Sequence, residues 1–184
     1  MRIGPSDKVL SRSLIKTISM KTLQKLTLMV FTLVTLSIVS CTEDPCADVS
    51  CLNGGTCNEG TCACAAGYEG ADCGTEQRAK FISTYNFNES CTSGTYSYTC
   101  NIGTSSSGVT KVLLSNFAAL TGSTISATVS GTTLNIAQQN FALNGQNWGI
   151  VGTGQINGSL LTITYTLTFP DNSTDACTAT GTKQ

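Results

Sequence analysis

The chain has 184 residues, enough for one or two domains, and only 11% of them are charged. It contains no histidine, which removes the commonest general base and the commonest zinc ligand together. Thr, Ser, Gly and Asn are abundant and apolar residues recur throughout, which suits short strands and turns in a folded domain.

Residues 1–40 read as a targeting segment. Lys21 and Lys25 precede LTLMVFTLVTLSIV, residues 26–39, a fourteen-residue apolar stretch. A membrane span needs about 20 residues, so the stretch is short for one and suits a signal peptide. MKTLQKLTLMVF, beginning at Met20, makes a tidier signal peptide than the whole segment, so translation starts either at Met20 or after a long basic region. The segment ends in Ile38-Val39-Ser40-Cys41, which resembles the lipobox of bacterial lipoproteins. The resemblance implies that Cys41 is lipidated and becomes the first mature residue. The membrane partner would then be reached through lipid at Cys41, and the location would be the bacterial cell envelope, on the outer membrane. An uncleaved signal anchor is the alternative. From Cys41 onward four basic residues, Arg78, Lys80, Lys111 and Lys183, face ten acidic ones, a balance of about −6. No basic stripe exists to meet phosphates, so nucleic acid is not an expected partner.

Six cysteines follow in the pattern C-x4-C-x5-C-x4-C-x-C-x8-C, from Cys46 to Cys73. Cysteine-only zinc sites use C-x2-C knuckles, and none is present; Cys62-Ala63-Cys64 is too tight. Structural disulfides are therefore expected, as in an oxidising compartment. Six cysteines allow about fifteen connectivities, and spacing alone does not choose among them. The stretch resembles an EGF-like domain in Asn53-Gly54-Gly55, in the single residue between Cys62 and Cys64, and in Gly67-Tyr68-Glu69-Gly70 before Cys73. That resemblance covers residues 46–73 and implies the pairs Cys46–Cys57, Cys51–Cys62 and Cys64–Cys73. So small a module needs such staples, because it cannot bury enough apolar surface alone. Glu43 and Asp44, in the acidic leader 41–45, match half of the family's calcium motif. Asn58-Glu59-Gly60-Thr61 is too short for the other half, so neither metal nor cofactor is expected. An acidic run just after a lipidated cysteine also resembles surface-export signals of some Gram-negative lipoproteins.

After a short polar connector, 74–80, residues 81–184 show period-two alternation. Tyr96, Tyr98, Cys100 and Ile102 share one face, as do Ile125, Ala127 and Val129, then Leu134 and Ile136. Leu161, Ile163, Tyr165, Leu167 and Phe169 alternate with threonines. Ser130-Gly131, Asn144-Gly145 and Asn157-Gly158 mark turns. The expected fold class is mainly β: the disulfide-rich module, then an antiparallel barrel or sandwich of about eight strands, most simply an up-and-down meander. If the barrel closes, Cys91–Cys177 is the preferred bond, with Cys100 a buried thiol; Cys91–Cys100 is the alternative. The run VTKVLLSNF, 109–117, the pair of strands VSGTTLNIAQQ, 129–139, and the early and late cysteines resemble small lipocalin-like, or calycin-like, barrels of secreted bacterial lipoproteins. That layout implies fold and not chemistry.

No enzyme is expected. There is no histidine and no G-x-S-x-G elbow, and the carboxylates read as solvated surface charge. Trp148 reads as core more readily than as a ligand platform. The favoured function is a lipid-anchored cell-surface or periplasmic protein whose β-domain meets a protein or glycan. The alternative is a carrier enclosing a small apolar ligand, for which Gly152 and Gly154 would leave room.

Overall fold

A computed structural model describes residues 24–25 and 43–184. Cys41, and residues 1–40 apart from Gln24 and Lys25, on which the targeting segment is expected, lie outside the described residues. Pro45–Gln184 forms one compact unit.

The disulfide-rich module opens this unit. Strands β1 (Thr56–Asn58) and β2 (Thr61–Ala63) form a hairpin. Its turn places both Glu59 and Gly60 at positive φ, as a two-residue hairpin that follows the strand twist requires. Disulfides join Cys46 to Cys57, Cys51 to Cys62 and Cys64 to Cys73. Strand β3 (Tyr68–Glu69) pairs with β4 (Thr75–Glu76), and a 3-10 turn, Gln77–Lys80, follows.

The expected connector, 74–80, is thus a structured joint. Arg78 Nη1 donates to the carbonyls of Ser105 at 2.9 Å and Gly108 at 3.0 Å, while its Nε pairs with Glu76 at 2.7 Å. Gln77 Oε1 accepts from the N–H of Gly131 at 2.9 Å. A Cβ on Gly67 would lie 2.7 Å from Val109 Cγ2, so the module's last loop rests against the barrel. The polar side chains that read as linker composition are satisfying backbone groups of barrel loops that would otherwise need water.

The β-domain is a closed antiparallel barrel of eight strands. They are β5 (Ser83–Cys91), β6 (Gly94–Thr104), β7 (Lys111–Ser115), β8 (Thr124–Ser130), β9 (Thr133–Leu143), β10 (Gln146–Asn157), β11 (Leu160–Thr168) and β12 (Thr174–Lys183). Each pairs with the next, and β12 returns to β5. Closure gives each strand of the barrel a neighbour on both sides, which limits free edges that could template aggregation. Cys91 and Cys177 are register partners across that last seam and are joined by a disulfide. In such a meander the connections alternate ends. The base holds the start of β5, the joint and the end of β12. The mouth holds the β5–β6, β7–β8, β9–β10 and β11–β12 connections.

The alternating apolar residues face inward. Tyr85, Phe87, Cys100, Ile102, Ile125, Leu134, Ile136, Ile150, Leu161 and Ile163 are all buried. From the β7–β8 connection Phe117 turns into the barrel, fully buried, with its ring centroid 4.9 Å from that of Tyr165 and 5.9 Å from that of Phe87. Gly152 and Gly154 do not leave the expected room. A Cβ on Gly152 would meet Tyr165 Cβ at 2.5 Å, and one on Gly154 would meet Ile163 Cγ1 at 2.9 Å. On β12, a Cβ on Gly181 would strike the Phe87 ring at 2.6 Å. These inward glycines let neighbouring strands and rings approach closely, so they mark filled space.

β8 and β9 pair over only three residues each, Thr128–Ser130 with Thr133–Asn135. Further along, Gln139 spans the widening seam. Its amide nitrogen donates to Ser126 O at 2.7 Å, and its oxygen accepts from Ser126 N at 3.1 Å. A bulge on β9, opposite Ile150 and Gly152, brings Gln139 into position for this.

Candidate functional site

Two surfaces of the barrel carry polar groups in an organised way. The first is the outer wall of β11, β12, β5 and β6. Its outward positions are almost all Thr, Ser or Asn: Thr162 to Thr168 on alternate positions of β11, Thr178 and Thr180 on β12, Asn86 and Asn88 on β5, and Ser97 and Thr99 on β6. No outward residue of these four strands is charged before Lys183 at the end of β12. Neighbouring strands are laced by side chains: Ser97 Oγ donates to Asn88 Oδ1 at 2.8 Å, and Thr99 Oγ1 to Asn86 Oδ1 at 3.0 Å. A shallow groove of about 590 Å³ crosses this wall between Asn88, Ser90, Thr95, Ser97, Thr178 and Thr180, and Glu89 and Tyr96 complete its lining.

The second surface is the mouth. Glu89 and Asp175 point inward there and are only 5% and 6% exposed. This corrects their reading as solvated surface charge. Glu89 is in phase with Tyr85 and Phe87 on β5, while Asn86, Asn88 and Ser90 face out. The alternation of TYNFNES is the signal that identifies it. Tyr98 donates to Glu89 Oε2 at 2.6 Å. Glu89 Oε1 lies 3.2 Å from Sγ of Cys91, which has no proton to give while bonded to Cys177. Ser93 donates to Asp175 through its N–H at 3.2 Å and also through its hydroxyl. Tyr165, on β11, directs its buried hydroxyl toward Glu89 without a hydrogen bond of good geometry. Burial, and then the carboxylate of Glu89, hold the phenols of Tyr98 and Tyr165 well above their ordinary range. Glu89 also lies near both sulfurs of the Cys91–Cys177 bond, but disulfide sulfurs lack the thiolate charge that a metal site uses.

The eight cysteines Cys46, Cys51, Cys57, Cys62, Cys64, Cys73, Cys91 and Cys177 are thus held in four bonds. Cys100 is free and buried, and burial pushes its thiol up to about 12. Trp148 stands at the mouth, half-buried against Phe169 at 5.2 Å, with its indole N–H buried and unpartnered. Neither any protein-family model nor any curated protein matches the chain.

Proposed function

We propose that this chain is a non-enzymatic protein of the bacterial cell envelope, held at the outer membrane by lipid on Cys41. Its EGF-like module carries a lipocalin-like barrel that meets a protein or glycan partner. The observation that carries this reading is the filled interior. Phe117, Phe87, Tyr98 and Tyr165 occupy the space that a carrier would give to its ligand, and the inward glycines are overlaid by their neighbours. The outer wall offers hydroxyl and amide groups around a groove whose lining includes one inward-pointing carboxylate residue, Glu89, which suits the hydroxyls of a glycan or a polar protein surface. The absence of histidine and the high pKa of the one buried free thiol support a protein without covalent chemistry.

The anchor and the wall are tested separately. Metabolic labelling with a fatty-acid analogue should mark the wild type and leave Cys41→Ser unlabelled; label on both or on neither removes the anchor. Glycan and protein arrays probed with the full chain should give signals that Thr180→Asp loses, since it places a charge in the groove. Stoichiometric uptake of a fluorescent fatty acid, with quenching of Trp148, would instead make the barrel a carrier.

A further inference from the structure

The charges of the barrel are sorted by end. Arg78, Lys80, Lys111 and Lys183 all lie at the base. Glu89, Asp171 and Asp175, all the acids after residue 80, lie at the mouth. Two of these three are buried there. A carboxylate withdrawn from water needs either an opposite charge or a full set of donors. Glu89 has neither: Tyr98 serves one of its oxygens, and the other faces a disulfide sulfur. Tyr165, only 3% exposed, brings an unpartnered hydroxyl to the same place, and Asp175 lies near enough to act on that hydroxyl electrostatically. A carboxylate oxygen that faces a disulfide sulfur and a phenol directed at that carboxylate without a hydrogen bond of good geometry thus meet in one niche.

We propose that this niche binds a primary ammonium group, which enters at the mouth beside Tyr96 and is held by Glu89 Oε1, the phenol oxygen of Tyr165 and the carboxylate of Asp175. An ammonium has three donors and no acceptor, and the unmet groups of the niche are able to accept. The rings of Tyr98 and Phe117, 6.3 Å apart, add π faces around the charge. A guanidinium suits the niche less, because its planar fork seeks both oxygens of a carboxylate and one Glu89 oxygen is committed to Tyr98. Calcium or magnesium would need about six or more oxygens in regular array, which these side chains do not supply. Tyr96, the register partner of Glu89, is 45% exposed and lines the outer groove together with Glu89, which puts the niche one strand-pair layer beneath solvent. With every acid of the barrel at the mouth and every base at the far end, the field there steers cations inward. The side chains of this niche point inward, opposite to the hydroxyls and amides of the outer wall, and its test does not depend on that reading.

The probe is n-butylammonium chloride, titrated calorimetrically into the full chain, with Nα-acetyl-lysine methylamide as a second arm. Saturable binding is expected, weakened about tenfold or more by Glu89→Gln and by Tyr165→Phe, since each removes a contact to a charged group. Asp171→Asn, exposed at the same end, should leave it unchanged. Binding of both probes points to a lysine side chain as the natural ligand, and binding of the alkylamine alone points to a free small amine. Tyr165→Phe guards against a folding artefact: deleting an unpartnered buried hydroxyl should keep or raise Tm, so lost binding with retained Tm is an effect at the site. The proposal is overturned if the wild type shows no saturable binding, if n-butanol binds equally well, or if neither substitution weakens the amine. Calcium that binds more tightly than the amine, with the same sensitivity to Glu89→Gln, would also overturn it.

Discussion

Gly152 has no room for a methyl group. With Tyr165 Cβ at 2.5 Å and Thr164 O at 2.7 Å from the position a Cβ would take, Gly152→Ala must push β11 away from β10. Overpacking of this kind costs about 1–3 kcal/mol, which a urea unfolding curve reads as a lower midpoint at unchanged slope. An unaltered midpoint would mean that the interior is looser than described. The same small residue was legible in the sequence as inward-facing, but inward glycine fits a cavity and a close contact equally, and only the opposing strand decides. Cys100 makes a second prediction at this scale. Burial raises its thiol from about 9 to about 12, and that of the neighbouring Tyr85 phenol from about 10 to about 12. A folded-state pKa above the unfolded one contributes stability that is complete below the unfolded value and is lost as pH climbs through the folded one. The Tm should therefore decline from about pH 9 upward, and Cys100→Ala should make that decline shallower even though it lowers Tm at pH 7. Parallel declines in the two proteins would remove Cys100 as a cause.

Among elements, the barrel strands were the legible part, because half-buried strands alternate. Ile125, Ala127 and Val129 on β8, and Leu161 through Leu167 on alternate positions of β11, declared their inward face directly. The β7–β8 connection was not legible. Asn116, Ala118 and Ala119 take left-handed φ values of 60, 59 and 55°, and nothing in an alanine announces that conformation. Yet this backbone is what turns Phe117 inward and fills the barrel. Gln139 was hidden for another reason: the bulge on β9 breaks period two just before it, so its inward amide falls out of phase with Leu134 and Ile136. The β5–β12 seam is the element on which closure depends, and a disulfide with a sequence separation of 86 residues ties it. Replacing Cys91 and Cys177 together by Ala should cost about 4–5 kcal/mol in the chain-entropy account. Chemical denaturation of oxidised wild type against the double variant measures it. A loss below about 1 kcal/mol would mean that pairing of β5 with β12 holds the seam with little covalent help.

At the scale of the whole unit, composition misled where it is usually informative. A polar run between a cysteine framework and a β-domain reads as a linker, but here it is the element through which the module and the barrel base grip each other. Arg78 is central to that grip. One guanidinium satisfies carbonyls of Ser105 and Gly108 in the β6–β7 connection while pairing with Glu76 of β4. The pairing in turn holds the Glu76 carboxyl below its usual range. A lowered folded-state pKa makes this contribution present at neutral pH and lost as pH falls below the ordinary carboxylate value. A module fixed in this way holds the mouth at the end of the barrel opposite to itself, so any ligand at Glu89 sits away from the joint. Arg78→Ala should therefore do more than lower stability by about 1.5–3 kcal/mol for lost charge-assisted hydrogen bonds. It should separate the melting of the disulfide-rich module from that of the barrel, and open the chain between Thr75 and Lys80 to proteolysis while both parts stay folded. Calorimetry should show two transitions in the variant against one in the wild type, and a protease acting after Lys80 should release two stable fragments from the variant alone. A single transition with an intact Lys80 in the variant would mean that Gln77 and the Gly67–Val109 contact suffice to hold the joint, and that Arg78 only trims its loops.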